Sequence, residues 1–249
     1  MSPSTQMSLP SFRRDTQGAL RSYLELGFHI ETGLFPVEEC RALIERSHRL
    51  STFQDGTMAP NNHPHRSEPL IMDAFRNEVI IQVMSWMLGG GVAGLQTIMY
   101  FGQPGCPGQS LHQDNFYIQA ESGGFASAWL ALEDVSADNG GLCVYPGSHV
   151  ERLLDVEPVV EAQVAPNQDS NAQRLRAVLP PRRYACIDVE VPAGSVVFLH
   201  GHLLHFSHPN STTDRFRHVL LMTYIRKGQY FRPGRSGREA VDLGPEVGR

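Results

Sequence analysis

The sequence lacks the features that mark several large protein classes. It has no run of Lys and Arg, and its formal net charge is −5. A nucleic-acid partner is therefore not expected. Its longest apolar runs, such as 79–88 and 195–199, are far shorter than the roughly 20 residues of a membrane helix, so no membrane is expected as a partner. Residues 1–14 contain no apolar stretch of the secretory kind, which makes a cytoplasmic location the expectation. Cysteine is scarce. Cys40, Cys106, Cys143 and Cys186 are scattered and form no C-x-x-C pair, so they read as free, partly buried thiols. Neither an internal repeat nor a linker marking a second domain is evident.

What remains suits one globular domain over residues 1–249. With 249 residues, 41% of them apolar, the chain can bury a sizeable core. Apolar spacing predicts a helix over 16–26, ended by Gly27, a second opened by Pro36, and a third over 72–88, stopped by Gly89-Gly90-Gly91. Residues 51–68 read as a loop. Short strand-like runs follow, at 94–101, 111–119, 125–132, 142–145, 184–191, 195–200, 204–207 and 216–225. Asn139-Gly140-Gly141, Pro146-Gly147 and Pro192-Ala193-Gly194 punctuate them. The expected fold is mainly β: a jelly-roll or barrel with N-terminal helices packed on one side. Residues 151–183 are polar and read as an insertion or lid. Residues 1–14 and 232–249 read as flexible tails.

Eleven histidines stand out, seven of them between His112 and His218. In Gln109-Ser-Leu-His112-Gln-Asp114, a strand would put His112 and Asp114 on one face, with backbones roughly 6–7 Å apart. That separation suits two ligands of one metal ion. A third ligand must come from elsewhere, and His200, His202, His205 and His208 compete for the role. Two His and one carboxylate on one face leave positions open, which suits Fe(II). Farther on, alternation in 216–221 places Arg217 on the face of Val219 and Leu221. If that face is the interior, a buried guanidinium requires a partner, and a small carboxylate fits its fork. Arg215, nearer the 211–214 loop, reads as a rim residue.

With these pieces assembled, the sequence resembles the phytanoyl-CoA dioxygenase family of non-haem Fe(II)/2-oxoglutarate oxygenases. The resemblance rests on Gln109-x-x-His112-Gln-Asp114, on Asn139-Gly-Gly-Leu142 leading to Pro146-Gly-Ser-His149, and on Gly194–Asn210 followed by Arg217. It covers roughly 92–226 and implies a double-stranded β-helix of cupin-like type. It also implies His112, Asp114 and His205 as iron ligands, with Arg217 and Ser207 on the far carboxylate of 2-oxoglutarate. Gln109 and Trp129 border the co-substrate by the same resemblance, and His149 is structural. One departure is that the loop between His205 and Arg217 is a residue longer than usual, which leaves Arg215 open as the clamp. The implied chemistry consumes O₂ and 2-oxoglutarate and hydroxylates a C–H bond of a small molecule, releasing succinate and CO₂. A carboxylate at position 114 argues against a halogenase. The rival readings are a zinc enzyme on the same ligands and a non-catalytic jelly-roll that binds a small carboxylate. Substrate and oligomeric state are not legible. Asn61–Arg66, Phe116, Tyr117 and the 151–183 insertion are the candidates for the entrance.

Overall fold

In the computed structural model, which describes residues 9–50, 53–54, 57–158, 175–178 and 184–244, the first helix occupies the predicted span. Helix α1 (Thr16–Leu26) starts where the Asp15 side chain accepts from Gly18 N at 2.8 Å. It stops at Gly27, whose φ of 78° gives the left-handed cap that glycine adopts without a Cβ penalty. β1 (Phe28–Glu31) and α2 (Val37–Leu50) follow. The single helix expected over 72–88 is in fact two. α3 (Pro69–Phe75) ends at Arg76, and Asn77 caps α4 (Glu78–Leu88) by accepting from Val79 N and Ile80 N. A side chain that bonds its neighbours' backbone breaks a helix without disturbing the apolar spacing. The region read as a loop holds three two-residue strands, β2 (Phe53–Gln54), β3 (Thr57–Met58) and β4 (Asn61–Asn62).

Strands dominate the rest. They are β5 (Val92–Gly102), β6 (Phe125–Ala131), β7 (Leu142–Val144), β8 (Val156–Pro158), β9 (Leu175–Ala177), β10 (Ile187–Asp188), β11 (Val196–His200), β12 (His205–Ser207) and β13 (Arg217–Arg226). A short helix, α5 (Asn115–Ile118), lies between β5 and β6. The order β1-β11-β6-β13-β5-β4 makes one antiparallel sheet, and β10-β7-β12 makes a second. Alternate residues serve two cores. Ala126, Ala128 and Leu130 of β6, with Val196, Phe198, Leu220 and Met222, pack beneath the helices. Trp129 and Ala131, with Val197, Leu199, Val219 and Leu221, pack against Leu142 and Val144 of the small sheet. With both faces covered, β6 is buried along its whole length. The expected jelly-roll with helices on one side is the observed architecture.

The described parts of both tails correct the expectation of mobility. Phe12 is 4% exposed and stacks on Trp86 with ring centroids 5.8 Å apart. Burying such a ring contributes about 1.5–3 kcal/mol. At the other end, Val241 exchanges hydrogen bonds of 2.9 and 2.8 Å with Gly94, and Leu243 is buried. Gly94 permits this approach, because a Cβ there would lie 2.5 Å from the Phe75 ring and 3.1 Å from Leu243. The Gly, Arg and Pro content of the segment suggested a free end; two anchors of β type and apolar type fix it through residue 244. The expected insertion is tied down at its base. Ala177 N donates to Leu111 O at 2.7 Å, and Leu154 N to Gln113 Oε1 at 2.9 Å. Residues 159–174 and 179–183, on which the lid reading rests, lie outside the described residues.

Candidate active site

His112 and Asp114 come together by a different local route from the one expected. Residues 111–119 are not a strand. His112 forms one isolated antiparallel bridge with His205, through His112 N→His205 O at 3.0 Å and His205 N→His112 O at 3.1 Å. Asp114 then opens α5 with helical φ and ψ. The turn, and not a pleat, brings the two side chains to one side. Period-two alternation was a poor guide here because only His112 itself is paired.

The bridge also brings His205, of the four competing histidines, to this pair. Asp114 Oδ1 lies 3.4 Å from His112 Nε2 and 3.8 Å from His205 Nε2. The two rings are 4.3 Å apart between centroids. The Nδ1 atoms face backbone carbonyls, Ser110 O at 2.8 Å and Leu203 O at 3.0 Å. A carbonyl only accepts, so each Nδ1 carries the proton and each neutral ring turns a bare Nε2 inward. Two lone pairs and a carboxylate pointed at one another form a donor set that a cation completes. Burial alone would raise the Asp114 carboxyl. The imidazoles of His112 and His205, with the Ser127 hydroxyl at 3.0 Å, more than offset that and hold it at about 2. Burial, then the neighbouring His112, pushes His205 down to about 4, against the pull of Asp114. At neutral pH Asp114 is therefore a carboxylate and His205 a neutral imidazole.

The three competing histidines are occupied elsewhere. His202 Nε2 accepts from Asn115 Nδ2 at 2.6 Å and its Nδ1 donates to Glu151 O at 3.0 Å. His200 accepts from His202 N and packs beside the His149 ring. On the opposite face of β12, His208 pairs with Asp188 at 2.6 Å. His149 Nε2 contacts Leu24 O at 3.0 Å, a structural role as expected.

Arg217 lies where parity placed it. It is 7% exposed, and its Nε is buried without a hydrogen-bond partner. Gly102, opposite it in register, makes the space. A Cβ at 102 would sit 3.0 Å from that Nε and 2.9 Å from Arg217 O. Arg215 is half exposed and lies 3.7 Å from Asp138, so it is the rim residue. Ser207 Oγ accepts from Gln109 N at 2.8 Å, and Gln109 Nε2 donates to Tyr100 Oη at 3.4 Å. These groups form a polar seam between the histidines and the arginine. A buried cation lacking a partner at its end is what a dicarboxylate would complete.

A cavity of about 580 Å³ opens onto this set. Gln109, His112 and Asp114 line it, together with Gln96, Ile98, Tyr100, Tyr117, Ser127, Leu221 and Thr223. Arg217 and Ser207 stand behind that wall. Trp129 does too, packed in the inter-sheet core opposite Leu221, so of the expected co-substrate residues Gln109 alone lines the cavity. Of the expected entrance residues, Asn62 and Tyr117 line the cavity, whereas His63 and His65 are buried and Arg66 donates to Gly237 O. Gln96, Ile98 and Tyr100 were missed, although alternation along 94–101 puts them on one face. Arg232, Arg235 and Arg238 at the mouth were missed as well, because their segment was read as free.

Comparison with known proteins identifies the family. The family model of phytanoyl-CoA dioxygenase (PhyH) matches residues 23–219. The chain belongs to the phytanoyl-CoA dioxygenase family. It is 33% identical over 134 residues to "Phytanoyl-CoA dioxygenase 1" of Oryza sativa subsp. japonica, covering 53% of this chain and 44% of that protein. It is 23% identical over 220 residues to a "Probable alpha-ketoglutarate-dependent hypophosphite dioxygenase" of Stutzerimonas stutzeri, covering 81% of this chain and 76% of that one. The chain spans about half the length of the rice and Arabidopsis thaliana relatives it matches. Among solved structures, the epimerase SnoN in complex with Fe3+, alpha ketoglutarate and nogalamycin RO superposes with a TM-score of 0.67 at 18% identity, covering 86% of this chain and 85% of that one. That likeness establishes the shared fold. Among the described residues no helix is long and apolar enough to cross a membrane.

Proposed function

We propose that this chain is an Fe(II)- and 2-oxoglutarate-dependent dioxygenase that hydroxylates an unactivated C–H bond of a small molecule. The observation that carries the reading is the pair of bare Nε2 atoms facing Asp114, with an unpartnered buried guanidinium behind them. A zinc hydrolase on the same three ligands leaves Arg217 unexplained. A non-catalytic binder leaves the convergence of His112, Asp114 and His205 unexplained. The relatives' names and the Fe3+ and alpha ketoglutarate of the SnoN complex support the same reading.

In this reading His112, Asp114 and His205 hold Fe(II) on one face. Arg217 and Ser207 bind the far carboxylate of 2-oxoglutarate, and Gln109 and Tyr100 line its path. Burial, chiefly, pushes the Tyr100 phenol up to about 12, so it stays a neutral donor at neutral pH. Bound iron, with O₂ and 2-oxoglutarate, supplies the oxidising power that breaks the C–H bond. The protein holds the open side of the ligand set toward the cavity and fixes the target carbon there.

The mouth favours an anionic substrate. Arg232, Arg235 and Arg238 line it, and among the described residues Asp114 is the one acid in the lining. Arg232 and Arg238 spend donors on the carbonyls of Phe116 and Tyr117, which fixes them in place, and Arg235 is exposed. The test is succinate release from 2-oxoglutarate by protein loaded with Fe(II) under air, screened across carboxylated, phosphorylated and neutral metabolites. Stoichiometric succinate with an oxidised anionic product is the expected result. No succinate with any compound overturns the oxygenase reading. Preference for a neutral compound, unaffected by Arg235→Ala, overturns the anionic one.

A further inference from the structure

The outer face of the three-stranded sheet carries a second cluster of metal-ligating side chains, separate from the cavity. Strands β10, β7 and β12 place Asp188 opposite Cys143 and Cys143 opposite Phe206. Opposed residues in an antiparallel pair project to the same side. His208, two residues past Phe206, and Cys186, two before Asp188, share that side. The inner side is accounted for: Leu142 and Val144 enter the core, and His205 and Ser207 face the site.

We propose that Cys143, Cys186, Asp188 and His208 form a site for a thiophilic divalent cation, zinc foremost. The Cys143 sulfur, a carboxylate oxygen of Asp188 and a ring nitrogen of His208 all lie within 4.8 Å of one another. Ligand separations around tetrahedral zinc are about 3.3–3.8 Å, given its bond lengths of about 2.0–2.3 Å. Rotation of exposed side chains covers that difference. Cys143 forms the buried floor, while Asp188, His208 and the exposed Cys186 form the rim. The Cys186 thiol lies beside that of Cys143 and interacts with it, outside the three-residue cluster, and its rotation toward Asp188 and His208 would supply the fourth ligand. Burial, then the neighbouring Cys186 and Asp188, push the Cys143 thiol well above its usual range. Groups that hinder one another's ionisation in this way are relieved by a dication, and a coordinated thiol loses its proton outright. Two sulfur donors select zinc over the harder cations, whereas the His112, Asp114 and His205 set offers only nitrogen and oxygen. The two sites therefore take different metals. A metal here would brace β12, whose inner face carries His205 and Ser207.

The test is titration of the reduced, chelator-stripped full chain with Co(II), followed by absorption. Cobalt in the nitrogen and oxygen site gives no thiolate-to-metal charge transfer, so a near-ultraviolet charge-transfer band reports the outer site alone. The expected result is one equivalent of band-forming cobalt in the wild type, displaced by Zn(II). Cys186→Ser should roughly halve the band, and His208→Ala should weaken cobalt binding at least about tenfold, the lower end of what even outer-sphere partners contribute. Both positions are at least partly exposed, so these variants read the site even if Cys143→Ser fails to fold. No charge-transfer band in the wild type, or a band unchanged in both Cys186→Ser and His208→Ala, overturns the proposal.

Discussion

Two regions of this molecule each hold two histidines and a carboxylate, and only one of them can chelate a metal. At the cavity, His112, Asp114 and His205 converge, with both Nδ1 atoms tied to backbone carbonyls and both Nε2 atoms bare. On the helical side of the large sheet, His48, His218 and Glu133 form a line instead. His218 Nδ1 lies 2.8 Å from Glu133 Oε2, and its Nε2 lies 2.9 Å from His48 Nε2. With its Nδ1 proton given to the carboxylate, His218 accepts at Nε2 from His48. Its ring stands between the other two, so the three donor atoms never share a centre. Each region offers two imidazoles and one carboxylate. What differs is the partner of Nδ1, a backbone carbonyl at the cavity and the carboxylate itself in the line.

Exchange of ligands should show the contrast at its largest. Asp114→Ala or His205→Ala is expected to take bound Fe(II) from one per chain to none and turnover to background, with the circular dichroism unchanged. His48→Ala and Glu133→Ala should leave iron content and turnover near wild type. Iron retained in His205→Ala but lost in His202→Ala would move the ligand and break the comparison.

Arg217 sharpens it next. Arg217→Lys keeps the charge and loses the planar fork, so 2-oxoglutarate affinity should fall by about 2–4 kcal/mol, or roughly thirty- to several-hundred-fold. Arg217→Ala should lose more, and Arg215→Ala less than about threefold, since its ion pair is solvated. Calorimetric titration of the anaerobic Fe(II) protein measures all three.

A third kind of histidine is neither ligand nor relay. His65 is 4% exposed and bonds Thr97 Oγ1 at 2.7 Å. Burial, chiefly, lowers it to about 4, against about 6.5 in the unfolded chain. Between those values the unfolded state binds more protons. The contribution is therefore full above pH 6.5 and is lost as pH falls toward 4, by at most on the order of 3 kcal/mol. Melting temperatures of the metal-free protein across this window should fall less steeply in His65→Asn than in wild type. An identical slope would show that His65 is not buried neutral.

The smallest effect belongs to the relay. Glu133→Ala strands the His218 backbone N and Nδ1 donors and should cost about 1–2 kcal/mol of stability. Glu133→Gln, which keeps an acceptor, should cost less. Chemical denaturation of the two variants tests the order.

Much of this was legible in the sequence because it rests on local periodicity. The 16–26 helix and its Gly27 stop, the inward parity of Arg217 and the rim position of Arg215 follow from spacing alone. The choice of His205 among four histidines did not. Spacing cannot reveal that Asn115 and Glu151 occupy His202, or that His208 points out of the sheet, so that choice came from family resemblance. The relay was invisible because it joins residues 85 and 170 positions apart. The C-terminal arginines were missed because a Gly- and Pro-rich segment looks free until Val241 meets Gly94. Likewise, the His112–Asp114 pair was placed on a strand, when a single bridge and a helix start do the same work.

The most direct test of the central claim is 2-oxoglutarate titration into the anaerobic Fe(II) protein, followed by its metal-to-ligand charge-transfer absorption. The account predicts a band that saturates at one equivalent in wild type. It should be absent in Asp114→Ala and His205→Ala, shifted to far higher 2-oxoglutarate in Arg217→Ala, and unchanged in His48→Ala. A wild type without the band, or a band of full affinity in Arg217→Ala, would contradict it.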